Sequence, residues 1–368
     1  MPNYKDVTLQ TLAERLGLSA HTVSKALRGL PGMSERTRAE VIELATRLGY
    51  RSKEQERALR VERISIYSTK SRRFAYIMPR RSLGTIHRQL LDGIQTQLTQ
   101  FGHTLETLTE PTLQEAAAFR PKHEEGWAWR SGLHYMDGVF IPPLIAPVVE
   151  EQLISLPVPA ILLNYPPPAA AVDSVVWDVA TAVHQSVRCL LAHGHRRILY
   201  IGDNKHHRGF RIRWHAFCEA MHAAGVAALS ASYAPQDSST GEAYVHKLAD
   251  AIMREAPTAL VVGLEHDLDP VYYACRLLGR TIPKDYALIG LEHSPNRLFR
   301  DITHPELLVK ETGARGVDRM LWRISNPTLP YEHIQVQGRW HEGYTVRPIS
   351  GDQNAIPSLL RGISANST

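Results

Sequence analysis

Cysteine is scarce in this chain, and the few that occur lie far apart. Cys189, Cys218 and Cys275 are the three among 368 residues, and each has apolar neighbours. An odd and widely spaced set excludes a disulfide framework and provides no metal-ligand pair. We therefore expect free thiols in a reducing compartment, and no metal site.

Long apolar runs are missing as well. No stretch approaches the roughly 20 apolar residues that span a bilayer, and the first residues, MPNYKDVTLQ, lack the apolar core of a secretion signal. We expect a cytoplasmic protein with no membrane partner. The sequence also shows no nucleophile elbow, no phosphate-binding loop and no glycine-rich dinucleotide motif after a strand. It therefore predicts a non-enzyme without a cofactor.

Positive charge is concentrated at one end of the chain. Residues 1–73 contain 15 Lys and Arg against 8 Asp and Glu, a balance of +7; since the whole chain sums to +5, the remainder sums to −2. A basic segment on a nearly neutral body suggests a polyanionic partner, although a solvated basic surface would have the same composition.

Three short helices are predicted inside this basic segment. The stretch TLQTLAERL repeats apolar residues at helical spacing, with Thr8 as its N-cap and Gly17 as its C-cap. A second helix, SAHTVSKAL, follows the N-cap Ser19, and a third extends from Ser34 to about Leu48. Such a trio with a tight turn is typical of a helix-turn-helix unit, whose second helix enters the major groove of DNA. A helical module that binds only protein remains the alternative.

The rest of the chain alternates apolar runs with amphipathic helices. This order predicts parallel, doubly wound sheets, with ligands at the carboxyl ends of the strands. The runs are FAYIM, GVFIP, AILLN, RILYIG, ALVVG and YALIGL, and the helices lie near 86–101, 180–193, 211–224, 239–255, 267–279 and 313–325.

The head resembles the LacI/GalR family of transcription regulators over some forty-five residues. The matching segments are Val7-Thr8-Leu9, Gly17-Leu18-Ser19, Thr22-Val23-Ser24, Met33-Ser34, Thr37-Arg38 and Leu48-Gly49-Tyr50. The resemblance implies that Ala20, His21 and Lys25 read bases. The expected phosphate contacts are Thr8, Ser19, Thr22, Ser24, Arg28, Ser34 and Thr37.

The family also has a hinge helix that wedges a leucine into the minor groove. Leu59 falls at that position, and Arg57 fits beside it. Ser52, Lys53 and Glu56 depart from the family pattern, so Leu59 packing hinge against hinge remains the alternative.

The body resembles the sensor domain of the same family, through segments such as LLAHGHRRILYIG at 190–202. This implies two lobes that close over a small effector, with Arg213, Asn164, Glu265 and Glu292 as candidate ligands. A surface ion pair for Arg213, a turn cap for Asn164 and a loop cap for Glu292 remain the alternatives. Leu264 stands where the family has a ligand-binding asparagine. Either the effector is less polar there, or Glu265 takes over, or no sugar is bound. Trp127, Trp129 and Trp177 can stack on a sugar face, although packing is the simpler role for each.

Together these patterns predict a small all-α helix-turn-helix head followed by a two-lobed α/β body of the periplasmic binding protein type. We expect the head at 1–51, a hinge and linker at 52–73, the effector-binding and dimerisation domain at 74–350 and a tail at 351–368. The expected function is a dimeric regulator, most often a repressor, whose binding to an operator responds to a carbohydrate effector. The rival functions are a regulator that has lost small-molecule sensing and a sugar-transport binding protein.

Overall fold

The computed structural model describes residues 7–48, 50, 71–80, 84–117, 127–231, 241–292 and 301–349. The chain divides into two compact units, an N-terminal helical head and an α/β body. The head contains three helices, α1 (Leu9–Leu16), α2 (Ala20–Leu27) and α3 (Glu35–Leu48).

Local capping explains where the head helices begin and end. The Thr8 hydroxyl accepts a hydrogen bond from the Thr11 amide, and Gly17 ends α1 in the left-handed conformation at φ 64°. The Ser19 hydroxyl caps α2 in the same way. The predicted apolar stripes meet in one small core, whose buried members are Leu12, Ala13, Val23, Ala26, Val41, Leu44 and Ala45.

The body has two lobes, each built on a parallel sheet. Lobe 1 contains six strands in the order β11-β5-β4-β3-β1-β2. They are β1 (Arg73–Met78), β2 (Thr104–Thr109), β3 (Gly138–Ile141), β4 (Ala160–Leu162), β5 (Asp173–Trp177) and β11 (His333–Val336). Its helices are α4 (Thr85–Gln100), α5 (Leu113–Ala117), α6 (Trp127–Arg130), α7 (Pro147–Ile154) and α12 (Val309–Ser325), with a 3-10 turn at Leu133–Tyr135.

Lobe 2 contains four parallel strands in the order β7-β6-β8-β9. They are β6 (Ile198–Ile201), β7 (Leu229–Ala231), β8 (Ala259–Val262) and β9 (Ala287–Gly290). The helices of this lobe are α8 (Val179–Ala192), α9 (Arg208–Ala223), α10 (Glu242–Glu255) and α11 (Leu268–Leu277), with a 3-10 turn at Glu265–Asp267. A short antiparallel pair, β10 (His304–Glu306) and β12 (Arg339–His341), completes the fold.

Both faces of each sheet carry apolar clusters, as continuous apolar strands require. All six predicted apolar runs form strands, and the predicted fold class is confirmed. The edge strands β2, β7 and β11 were not predicted, because half-exposed edges lack a continuous apolar run. The buried inner strand β5 was also missed. Helix α9 begins at Arg208 instead of 211, and α12 begins at Val309 instead of 313, so both predicted starts were three or four residues late.

The three tryptophans considered for stacking differ in their surroundings. Trp127 packs against the core of lobe 1, and the ring of Trp129 stacks on His134 at 3.9 Å between centroids. Trp177 is 6 % exposed at the end of β5, and it is the one of the three that lines the cavity described below. Packing therefore describes Trp127 and Trp129, whereas Trp177 packs in the core of lobe 1 and also lines the cavity.

Candidate functional site

Helix α2 presents one polar face, opposite the side that packs in the head core. His21 is exposed and Lys25, four residues later, is half-buried on the same face. Ala20 is half-buried at the start of the helix, whereas Val23 and Ala26 are buried on the other side. The structure thus places His21 and Lys25 on one face, whereas Ala20 also packs against the head core, and contact of all three with DNA stays a prediction.

Two hydroxyl pairs occupy the N-termini of α2 and α3. The Ser19 Oγ accepts from the Thr22 amide at 3.0 Å and lies 2.8 Å from the Thr22 hydroxyl. Ser34 and Thr37 repeat this arrangement at 3.1 and 2.8 Å. These hydroxyls cap the helix N-termini. The groups available to a phosphate there are the remaining backbone N–H groups of the first turns and the outward hydroxyl protons.

The other predicted phosphate contacts lie on the same unit. Thr8 is exposed at the start of α1, and Arg28 is exposed at the end of α2, where its Nε donates to the Ser24 carbonyl at 3.4 Å. Ser24 itself is half-buried. The predicted hinge residues Arg57 and Leu59 lie outside the described residues, so the minor-groove wedge stays a prediction.

The body contains a cavity of about 320 Å³ between the two sheets. Its walls come from the carboxyl ends of strands in both lobes: residues after β3, β4 and β5 from lobe 1, and residues after β6, β8 and β9 from lobe 2. This is where parallel sheets bind ligands, and the volume suits a small molecule. All four predicted effector ligands line it: Asn164, Arg213, Glu265 and Glu292.

Arg213 forms a buried ion pair at the cavity wall. It is 3 % exposed, its Nη2 donates to Glu292 at 2.5 Å, and its Nη1 donates to the Gly263 carbonyl at 2.8 Å. Burial opposes the charged guanidinium, but the Glu292 carboxylate outweighs it and the pKa of Arg213 is raised. The charge of Arg213 is therefore matched by Glu292 in a buried ion pair, and not in the surface ion pair considered from the sequence.

Asn164 lines the cavity, and its side chain also forms a hydrogen bond with the backbone. Its Oδ1 accepts from the Tyr165 amide at 2.8 Å, and its side chain acts to lower the pKa of Glu150, against the larger effect of burial. Tyr165 lines the cavity, while its hydroxyl donates to the Trp177 carbonyl at 3.2 Å and accepts from the Val179 amide at 3.1 Å. The loop after β4 is thereby tied to the end of β5.

The sequence did not indicate Tyr76 or His87 as site residues. Tyr76 is fully buried on β1, and its hydroxyl lies 3.0 Å from Nδ1 of His87, which lines the cavity at the start of α4. Burial lowers the pKa of His87 to about 4, so the imidazole is neutral at physiological pH. A histidine two residues after the start of a helix that follows a strand is the one signal that could have suggested it.

Apolar side chains form much of the remaining wall. Leu264 is 7 % exposed and faces the cavity together with Phe210 and Leu144. Leu144 has φ 69°, a conformation that costs a leucine about 1 to 2 kcal/mol and is often found at functional sites. The cavity therefore combines a few buried polar groups with a broad apolar surface.

The described residues contain neither a metal-binding cluster nor a membrane-spanning helix. No group of three or more His, Cys, Asp or Glu in that part of the chain is arranged to hold a metal ion. His293, which the sequence placed beside Glu292, lies outside it. Within the same ranges, no helix is both long enough and apolar enough to cross a membrane.

The known proteins similar to this chain include transcription regulators that match most of its length. The family model for a periplasmic binding protein-like domain matches residues 187–346. The chain is 26 % identical to the HTH-type transcriptional regulator AglR of Rhizobium meliloti, over 96 % of this chain and 97 % of that protein. It is 22 % identical to the HTH-type transcriptional regulator DegA of Bacillus subtilis, over 83 % and 88 % of the two chains.

Solved structures show the same fold. The transcriptional regulator CelR in complex with cellobiose superposes with a TM-score of 0.61 at 17 % identity, covering 92 % of this chain and 99 % of that one. The lac repressor dimer bound to operator and the anti-inducer ONPF gives 0.59 at 17 % identity, covering 93 % and 100 %. The expected resemblance is confirmed: this chain is similar to transcription regulators of the LacI/GalR family, and it has their fold of a small helical head and a periplasmic-binding-protein-like body.

Proposed function

We propose that this chain represses transcription by binding a pseudo-palindromic operator as a homodimer, and that a small effector in the body cavity changes its affinity for DNA. The observation that carries the proposal is the polar face of α2. His21 and Lys25 share that face, opposite the packed side chains of Val23 and Ala26. Donors of this kind suit guanine O6 and N7 in the major groove, and Ala20 suits a thymine methyl.

The surface of lobe 2 supports a dimer. Tyr273 and Leu277 are 59 % and 53 % exposed one helical turn apart on α11, and Met253 on the neighbouring α10 is 61 % exposed. Large apolar side chains grouped on adjacent helices are costly in water and are typical of an interface. A two-fold dimer presents two heads, and it therefore requires two half-sites in the DNA.

The cavity supports a sugar or sugar derivative as effector. Glu292 and Glu265 provide carboxylates that can accept from hydroxyl groups, and Trp177 provides an aromatic ring of the kind that packs on a sugar face. One related structure is described as a cellobiose complex and another as having bound ribose. Closure of the lobes over such a ligand would bias the dimer interface and thereby the spacing of the heads.

Selection from a random pool of DNA duplexes tests the proposal. The purified full chain should enrich one sequence with two-fold symmetry, and the affinity for it should fall steeply between 50 and 200 mM salt as counterions are released. A scrambled duplex of the same composition is the control. Equal affinity for both duplexes, with and without candidate sugars, would refute DNA reading.

A second candidate is a regulator that does not sense small molecules. The apolar side chain of Leu264 at the cavity wall favours it, because this position offers no hydrogen bond to a ligand. Calorimetry of the full chain against a panel of sugars separates the two candidates. Heat from none of the sugars, together with intact DNA selection, would favour the second.

A further inference from the structure

Helix α9 belongs to lobe 2, but its first turns also contact lobe 1. Arg208 donates from Nη2 to both carboxylate oxygens of Glu150 on α7, at 2.6 and 2.7 Å. Its Nε donates to the Tyr165 carbonyl in the loop after β4, at 2.7 Å. One turn further along, Ile212 packs against the apolar core of lobe 1. A charged contact and an apolar contact therefore join the two lobes at the start of α9.

The start of α9 is also fixed to lobe 2. The buried carboxylate of Asp203, after β6, accepts hydrogen bonds from the amides of Lys205 and His206 at 2.8 and 3.2 Å, and these hold the turn that leads into the helix. Arg213 anchors the next turn through its buried ion pair with Glu292. Because the helix cannot shift freely on its own sheet, a movement of lobe 1 relative to lobe 2 must break the contacts of its first residue.

The loop after β4 connects the ion pair to a point where the chain passes between the lobes. The Tyr165 hydroxyl donates to the Trp177 carbonyl at 3.2 Å and accepts from the Val179 amide at 3.1 Å. These two residues lie where β5 of lobe 1 ends and α8 of lobe 2 begins. Since the carbonyl of the same tyrosine accepts from Arg208, one residue contacts both the crossing and the ion pair.

Each charge of the pair depends on the other in this closed arrangement, in which α9 contacts both lobes. The side chain of Glu150 is 3 % exposed and that of Arg208 is 19 % exposed. Burial raises the pKa of Glu150, although Arg208 and the Asn164 side chain both act to lower it. A buried charge whose partner is removed is strongly unfavourable, and it gains free energy by returning to water. Loss of either charge should therefore favour separation of the lobes.

We propose that Arg208 and Glu150 form a latch that holds the two lobes closed through contacts of the chain itself, so that closure requires no bound effector. A consequence for DNA binding rests on the proposed function. The chain alone should bind its operator, and an effector would act by opening the lobes instead of closing them. Only the fraction of molecules in the binding arrangement contributes to affinity, so loss of the latch should weaken operator binding.

Hydrogen exchange of the full chain, followed by mass spectrometry of its peptides, tests the latch without DNA or ligand. Glu150→Gln and Arg208→Gln each remove one charge and leave the other buried and unmatched. We expect the amides of Tyr165 and Val179, which bond to side chains at the latch and at the crossing, to exchange at least about tenfold faster in both variants. The central strands β1 and β8 should keep their protection. Unchanged exchange of the two amides, or an equal increase in the central strands, would overturn the proposal.

Two further variants separate the latch from general destabilisation. Asp137→Asn breaks a half-buried ion pair with Arg72 inside lobe 1 and is the matched control. It should leave the exchange of the Tyr165 and Val179 amides unchanged, and an increase equal to that in Glu150→Gln would refute the latch. Arg208→Lys keeps the charge but lacks the planar fork, so its effect should be smaller than that of Arg208→Gln. Equal effects of these two substitutions would show that the charge does not hold the lobes.

Operator binding distinguishes failure of the latch from failure of the proposed function. If DNA selection yields an operator, both glutamine variants should bind it about tenfold more weakly than wild type, although both substitutions lie in the body. Unchanged or tighter binding in variants with faster exchange would overturn the consequence for DNA. If exchange changes as expected and no duplex is selected, the latch stands and the regulatory function falls.

Discussion

Arg208 and Glu150 join the two lobes through a buried bidentate ion pair. Arg208 is the first residue of α9 in lobe 2, and its Nη2 lies 2.6 and 2.7 Å from the two carboxylate oxygens of Glu150 on α7 in lobe 1. Its Nε also donates to the Tyr165 carbonyl at 2.7 Å. Burial raises the pKa of Glu150, and Arg208 only partly offsets this, so the pair links the lobes at a desolvation cost.

Breaking this pair from one side should destabilise the body. Glu150→Leu leaves a partly buried cation without its partner, and we expect the free energy of unfolding to fall by about 3 kcal/mol. Urea unfolding followed by tryptophan fluorescence measures this selectively, because all six tryptophans lie in the body. The double variant Glu150→Leu/Arg208→Met should recover most of the loss. If the double variant lost more stability than the single one, the pair would be net stabilising and this account would be wrong.

The stability of the body should depend on pH through His87. Its pKa is about 4 in the folded chain and near 6.5 when unfolded, so between these values the unfolded state binds a proton that the folded state does not. Stability should therefore fall as the pH drops from about 6.5 to 4, by roughly 3 kcal/mol in all. His87→Gln keeps a hydrogen-bonding group beside Tyr76 and should remove this contribution. Parallel stability curves for wild type and variant between pH 7 and 5 would contradict the expectation.

Helices α4 and α12 approach too closely at Gly93 for a larger residue. A Cβ atom built there would lie 1.9 Å from the Lys310 carbonyl oxygen, a backbone atom that no rotamer change can move away. Gly93→Ala should therefore destabilise the body by about 2 to 3 kcal/mol. Gly209→Ala on α9 is the matched control, because its nearest neighbour is 3.9 Å away. That change should be neutral or stabilising by up to about 1 kcal/mol. Equal unfolding midpoints for the two variants would refute the close approach.

Dimerisation should depend on the exposed apolar residues of α11. A carboxylate at Leu277 would be buried without a partner in a two-fold interface, so Leu277→Glu should shift the chain from dimer to monomer in sedimentation velocity. Tyr344→Glu is the control, since Tyr344 is 76 % exposed and lies on another segment, where its amide donates to the Asp301 carbonyl at 2.8 Å. A dimer that survives Leu277→Glu would place the interface elsewhere.

Substitutions of a base-reading residue and of a phosphate-contacting residue in the head should have different effects on DNA binding. His21→Ala should cost about 1 to 3 kcal/mol on the selected operator and should relax the preference at one base pair. Arg28→Ala should weaken binding to every duplex and lower the salt dependence by about one counterion, without changing the selected sequence. If the two variants selected the same sequence with the same salt dependence, the assignment of roles on α2 would be wrong.

The sequence by itself determined the parts of this protein that depend on local periodicity. Leu12, Val23 and Val41 repeat at helical spacing beside good caps, and the apolar runs of the body are long enough to form buried strands, so the head and the fold class could be predicted. Motif resemblance also indicated Arg213, Asn164, Glu265 and Glu292, which all line one cavity.

Only the tertiary structure decided which distant side chains meet. Glu150 and Arg208 are 58 residues apart and lie on ordinary amphipathic helices, so nothing local distinguishes them from surface charges. Tyr76 is one apolar residue of a strand, and His87 acquires its neutral, oriented imidazole through burial beside it. Burial, pairing and shifted pKa values depend on neighbours that the topology of the fold brings together. The spacing of residues along the sequence does not indicate which neighbours these are.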